Sequence, residues 1–112
     1  MKIESIREKL VDAVSRSEKV SGKNVTLPVL SGISLEALGG ILTVRATNLD
    51  LGISIHLPVK VLKEGHVVVP AHVLSSLLNS LSKEKSVTLT EEDQTVVVET
   101  STTRSTLKTL PA

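Results

Sequence analysis

Residues 66–83 read HVVVPAHVLSSLLNSLSK, and their hydrophobic period changes once. His66 to Pro70 hold a β-branched run with the composition of a strand. From Ala71 the period becomes helical, and Leu74, Leu77, Leu78 and Leu81 fall on one side. His72, Ser75, Ser76 and Asn79 face away, with Lys83 at the end of that side. The chain opens with the same unit. MKIES alternates like a strand, and from about Ser5 a helical side gathers Ile6, Leu10, Ala13, Val14 and Ser17. Glu8, Asp12, Ser15 and Lys19 lie opposite, with Lys9 and Arg16 on one flank and Arg7 and Glu18 on the other. Glu4 or Ser5 is the expected cap, with Glu8 as the capping-box partner of Ser5. Gly22 stands where a C-terminal stop belongs.

Strands follow each unit. KNVTLPVLSG crosses in extended form, since Pro28 has no N–H and turns Leu27 away from helix. GISLEAL and ILTVRAT alternate around Gly39-Gly40, a hairpin pattern. LGISIHLPVKV reads as one further strand, with Pro58 placing its later part at an edge or bend. Lys63-Glu64-Gly65 is a turn. In the second half, SVTLTEE and QTVVVET pair around Glu92-Asp93, and TTRSTLKTL is a last strand rich in threonine. The order is strand, helix, three strands, twice over, with halves at about 1–60 and 66–111. This is a topological duplication with weak identity between the halves. It predicts an α+β fold in which two helices lie side by side on one face of antiparallel sheets built by both halves.

Composition narrows the function. The 112 residues fit one domain. With no Cys, disulfides and thiolate metal sites are excluded. With no Phe, Tyr or Trp, the core must be aliphatic, and the aromatic platforms on which single-stranded nucleic acid stacks are missing. The net charge of +1 gives no basic excess of the kind strong nucleic-acid binders carry. The charged, alternating N-terminus is neither a signal nor a transit peptide, and no apolar run approaches a membrane span.

No catalytic motif stands out. His56, His66 and His72 are scattered, and Gly39-Gly40 lacks the Lys and the helix of a phosphate loop. Glu91-Glu92-Asp93 reads as a solvated turn rather than a cation site. No enzymatic role, cofactor or metal is expected. Two features each carry two readings. The polar helix faces, with His72, Asn79, Lys83, Lys9 and Arg16, are either ordinary solvated surface or a surface that runs past phosphates without gripping them. The last strand, with neither face a core pattern, is either an edge blunted by Arg104 and Lys108 or an edge that pairs with another chain.

MKIESIREKL, TLPVLSGISLEA, LTVRATNLDLGISIHLPV, VVVPAHVLSSLLNSL and RSTLKTLPA together resemble the first domain of the bacterial sliding clamp, the beta subunit of DNA polymerase III. The likeness runs in register along the whole chain, and TLPVL and TNLDLGI are its most specific stretches. It implies a DNA-clamp domain, the N-terminal third of a three-domain subunit. Two such subunits close head to tail into a homodimeric ring, with helices around the hole and duplex DNA through it. The implied function is processivity of the bacterial replicative polymerase in the cytoplasm. Polymerase and clamp loader would be bound through domains beyond this chain. The alternative is a stand-alone α+β interaction module without a DNA role.

The resemblance also places residues. The loop before TLPVL approaches DNA, where Asn24 stands in for a common Arg and Lys23 is the nearby charge. His72 and Asn79 likewise occupy positions where Arg is common, and Asp12 one that can be basic. All four departures lower positive charge, so weak, sequence-independent contact with duplex is expected through Lys23, Asn24, His72, Asn79, Lys83, Lys9 and Arg16. Ring closure is implied for Arg104, Ser105, Thr106, Leu107 and Lys108, with Leu77 or Leu78 adding an apolar contact. Ser105 stands where the family often has an aromatic. On this reading Leu107→Lys would weaken closure and leave the domain folded.

Overall fold

A computed structural model describes residues 1–20, 32–47 and 51–110. The expected stop at Gly22, the crossing at Pro28, and the candidates Lys23 and Asn24 lie outside the described residues. The first unit comprises β1 (Lys2–Ile6), α1 (Arg7–Val20), β2 (Gly32–Leu38), β3 (Ile41–Thr47) and β4 (Gly52–Pro58). A short β5 (Lys60–Lys63) follows. The second unit comprises β6 (Gly65–Pro70), α2 (Ala71–Ser80), β7 (Ser86–Glu92), β8 (Thr95–Glu99) and β9 (Arg104–Lys108). The architecture is α+β with the βαβββ order present twice.

The strands form two antiparallel sheets, ordered β5-β1-β7-β8-β9 and β4-β3-β2-β6. Each half therefore lends its first strand to the other half's sheet. β1 pairs with β7 from Lys2↔Thr90 to Ile6↔Ser86, and β6 pairs with β2 from Gly65↔Ala37 to Pro70↔Gly32. The registers put the apolar positions on one face. Ile3 lies opposite Leu89, Leu35 lies between Val67 and Val44, and Ala37 faces Leu42. These residues join Leu10, Val14, Leu74, Leu78, Val96 and Val98 in one buried aliphatic core. Burial of each such side chain is worth about 1.5–3 kcal/mol, which compensates for the missing aromatics by number.

The sheet pairing overrides several local expectations. β1 keeps its ladder through Ile6, so α1 starts at Arg7 rather than near Ser5. Ser5 then points into the core, and Ile6, expected on the buried side of the helix, is 54% exposed. The Ser5–Glu8 capping box does not form. Ser5 Oγ donates to the Ile6 carbonyl (3.2 Å), and the Arg7 amide donates to the Lys85 carbonyl (2.9 Å). The run LGISIHLPVKV is two strands. β4 ends at Pro58 on the edge of one sheet, the Val59 amide donates to the Gly40 carbonyl (3.1 Å), and β5 joins the edge of the other sheet. Pro58 therefore marks a change of sheet.

The two hairpin turns are equivalent in position but not in chemistry. Gly39 and Gly40 take φ +60 and +80, the left-handed backbone that glycine adopts at no steric cost. In the second half the turn is Asp93-Gln94, one residue later than expected, with φ of 40 and 62. Two side-chain-bearing residues there each cost roughly 1 kcal/mol relative to glycine. Replacing Asp93-Gln94 by Asn-Gly should raise the unfolding free energy of the chain by about 1 kcal/mol, read as a midpoint higher by about 4–8 °C in a thermal melt.

Candidate nucleic-acid face and open sheet edge

α1 and α2 lie side by side and antiparallel, and both ends of the pair are tied. At one end Arg7, in the first turn of α1, donates from Nη1 to the Leu78 carbonyl (3.2 Å) and from Nε to the Glu84 carbonyl (3.1 Å). A guanidinium thereby bonds a last-turn carbonyl of α2 and one just beyond the helix, and faces the negative end of its dipole. At the other end His72, in the first turn of α2, donates from Nδ1 to Glu18 Oε2 (2.9 Å). That contact brings a carboxylate to the positive end of the same helix. Arg7 was legible only as a flank residue, because its partners lie more than seventy residues away along the chain.

Between the helices runs an open groove of about 750 Å³, lined by Glu18, Lys19, His72, Ser75, Ser76, Asn79 and Ser80. Ser75, expected to face away, is buried. The buried side of α2 is Ala71, Leu74, Ser75 and Leu78, while Leu77 is only half-buried. α1 flanks α2, so the protected stripe is rotated from where the leucines alone would set it.

Of the expected phosphate-side residues that are described, Lys9, Arg16, His72 and Asn79 lie on the two helices and Lys83 just past α2, and Arg16, His72 and Asn79 are engaged within the domain. Arg16 pairs with Asp12 (3.0 Å), one helical turn away. His72 is held by Glu18, and the Asn79 amide donates to the Ser75 carbonyl (2.8 Å). Lys9 and Lys83 are exposed. Glu8, Asp12 and Glu18 thus intersperse with Lys9, Arg16 and Lys19 along α1, giving mixed charge rather than a basic patch.

No reactive constellation forms among the described residues. His56 and His66 sit on the outer side of the second sheet, hydrogen-bonded to Thr43 Oγ1 (3.0 Å) and Ser34 Oγ (2.7 Å), whereas His72 lies in the helical layer. Among the described residues no cluster of three or more His, Asp or Glu could hold a metal ion. In the Glu91-Glu92-Asp93 turn, Glu91 pairs with the Met1 ammonium (3.3 Å) and Glu92 with Arg104 (3.8 Å).

β9 closes one end of its sheet and, among the described residues, pairs on one side only, with β8. Its register and the Thr109 amide bond to the Gln94 carbonyl (3.0 Å) fix the direction of its backbone groups. In an antiparallel ladder bonded pairs alternate, so Ser105 and Leu107 turn their N–H and C=O toward β8. Arg104, Thr106 and Lys108 turn theirs toward the open edge. Their side chains are exposed, Ser105 is half-buried, and Leu107 is 6% exposed. The expectation that neither face is a core face is corrected: Leu107 points into the core against β8's Val96 register partner, and Leu78 is 0% exposed. Both serve the domain's own packing. Burial of their neighbours was not visible locally, since one Leu among Thr, Ser and Lys carries no period.

Paired antiparallel helices on one side, two sheets that share their first strands, and an open edge define a clamp-type α+β domain. The family model described as DNA polymerase III beta subunit, N-terminal domain, matches residues 1–112, and the chain belongs to that family. The beta sliding clamp of Caulobacter vibrioides (strain NA1000 / CB15N) is 30% identical over 114 residues, covering 100% of this chain and 31% of that protein. The beta sliding clamp of Treponema pallidum (strain Nichols) is 32% identical over 93 residues, covering 82% of this chain and 25% of that protein. The crystal structure of the DNA polymerase III subunit beta from Pseudomonas aeruginosa has a TM-score of 0.93 at 29% identity, covering 100% of this chain and 31% of that one. The chain thus spans under a third of the length of these relatives.

Two substitutions test the assignments inside the domain. Arg7→Met keeps the apolar stem and removes the cap on α2, and should lower stability by about 1.5–3 kcal/mol in urea titration. Leu107→Lys, contrary to the expectation from sequence, should destabilise the domain itself by more than about 3 kcal/mol, because a charge would enter the core. A Leu107→Lys chain that melts like the parent would return Leu107 to the surface.

Proposed function

We propose that this chain is one domain of a sliding clamp, the N-terminal one of three, and that the assembled homodimeric ring encircles duplex DNA as a processivity factor for the bacterial replicative polymerase. The observation that carries this reading is the helical layer, in which Asp12 and Glu18 hold Arg16 and His72 and leave a face of mixed charge. A ring that must move along DNA is served by weak, screened contacts, since tight phosphate binding would oppose motion. Lys9, Arg16, His72, Asn79 and Lys83, with Lys23 and Asn24, are the residues assigned to glancing phosphate contact. The backbone edge at Arg104, Thr106 and Lys108, beside Ser105, is assigned to ring closure by strand addition. Leu77, half-buried, is the apolar neighbour; Leu78 and Leu107 support the edge from within.

In this reading the chain has no catalytic role and needs no cofactor. Polymerase and clamp loader bind through parts of the protein beyond this domain. The place of action is the cytoplasm, where the chromosome lies. No helix among the described residues is long and apolar enough to cross a membrane.

The test uses the full-length protein loaded on nicked circular duplex. It should be retained through a wash at roughly 0.5 M salt, where phosphate contacts are strongly weakened, and lost once the circle is cut. Equal retention on linear and circular duplex would overturn encirclement. The 112-residue chain by itself should form no measurable complex with linear duplex at about 0.15 M salt, and a submicromolar complex there would contradict the neutral-face argument.

A further inference from the structure

Glu84 sits between α2 and β7 and touches three elements at once. Its carboxylate accepts hydrogen bonds from Ser101 Oγ (3.2 Å, to Oε2) and Thr102 Oγ1 (2.9 Å, to Oε1) in the β8–β9 connection. Its carbonyl accepts from Arg7 Nε (3.1 Å), and its amide donates to the Leu81 carbonyl (3.0 Å). The connection is also bonded internally. The Thr100 amide donates to the Thr103 carbonyl (3.0 Å), and Thr100 Oγ1 accepts from the Thr103 amide (3.1 Å). β9 begins at the next residue, Arg104. Its far end is held as well, by the Leu110 amide on the Val68 carbonyl (2.8 Å).

We infer that Glu84 is a positioning residue for ring closure: it anchors the start of β9 to the end of the helix pair, so that the open edge is presented in one conformation. This rests on the reading of β9 as the closing edge. A strand held at both ends loses less conformational freedom when another strand is added to it, so the gain appears as slower dissociation. Glu84 touches no partner in this scheme. It acts through Ser101 and Thr102, whose hydroxyls donate to its carboxylate.

The experiment is dissociation of the full-length ring on dilution, followed by subunit exchange between labelled protomers, with a thermal melt of each variant beside it. Glu84→Ala should dissociate about five-fold faster with a melting midpoint within a few degrees of the parent. Glu84→Gln keeps the reach and one acceptor, and hydroxyls can rotate to accept from its amide, so it should stay within about two-fold of the parent. In a Ser101→Ala, Thr102→Val background, Glu84→Ala should add less than about two-fold, because the shared contact is already gone. If Glu84→Ala lowers the melting midpoint strongly, the Gln variant and the Ser101, Thr102 pair carry the test. Thr106→Pro separates the two levels of the argument, since it removes an outward amide without breaking a bond to β8. Fast dissociation of Thr106→Pro with parent-like Glu84→Ala would overturn the role of Glu84 alone. Parent-like dissociation of both would overturn the edge assignment and the inference with it.

Discussion

The exchange of first strands between the two halves is the constraint on which the rest of the structure depends. Buried backbone N–H and C=O groups must be paired, and β2-β3-β4 or β7-β8-β9 alone would leave an inner strand unpaired on one side. β6 completes the first set and β1 the second. Each donated strand runs without a linker into its helix, at Arg7 and at Ala71. Where the strands go therefore decides where the helices start. Two equivalent exchanges bring the helices out as antiparallel neighbours. Arg7 then meets the end of α2 and His72 meets the end of α1. Neither contact could exist in a half-domain.

The same exchange separates two surfaces. The helical layer collects short polar side chains and paired charges, while β9 ends its sheet with outer backbone groups that find no strand partner among the described residues. Charge pairing between exposed partners such as Asp12 and Arg16 adds little stability. Its larger effect is on the field, since each pair removes a net charge that a phosphate would otherwise see. At β9 the chemistry differs. The side chains facing outward are Arg104, Thr106 and Lys108, which discourage indiscriminate pairing, while the backbone beneath them remains able to accept one suitable strand. Glu84 and Arg7 connect these surfaces physically, through a carbonyl and a carboxylate of the same residue.

Local chemistry foretold much of this and failed in recognisable places. Hairpins were legible from Gly39-Gly40, from alternation in SVTLTEE and from the β-branched run in QTVVVET, because turn geometry and face burial are encoded within a few residues. Ile6 was misplaced because helical periodicity extends back over a residue that sheet pairing with Ser86 claims. Ser75 and Leu107 were misplaced because their burial comes from α1 and from the register with Val96. The residues proposed for phosphate contact rest on resemblance and polarity, and the engagement of Arg16, His72 and Asn79 with Asp12, Glu18 and Ser75 was not legible in the sequence.

The amino-acid sequence by itself determined the strand–helix unit and its repetition, an aliphatic core, the turn positions to within a residue, and the family. Each of these depends on side-chain period or residue type over short windows. Tertiary structure alone decided which strand each half lends to the other, the change of sheet at Pro58, the capping of α2 by Arg7, and the direction in which β9 exposes its backbone. A hydrophobic pattern specifies which face of a segment is buried but not against what. That choice is made only when distant backbone groups find partners and one shared core closes over both halves.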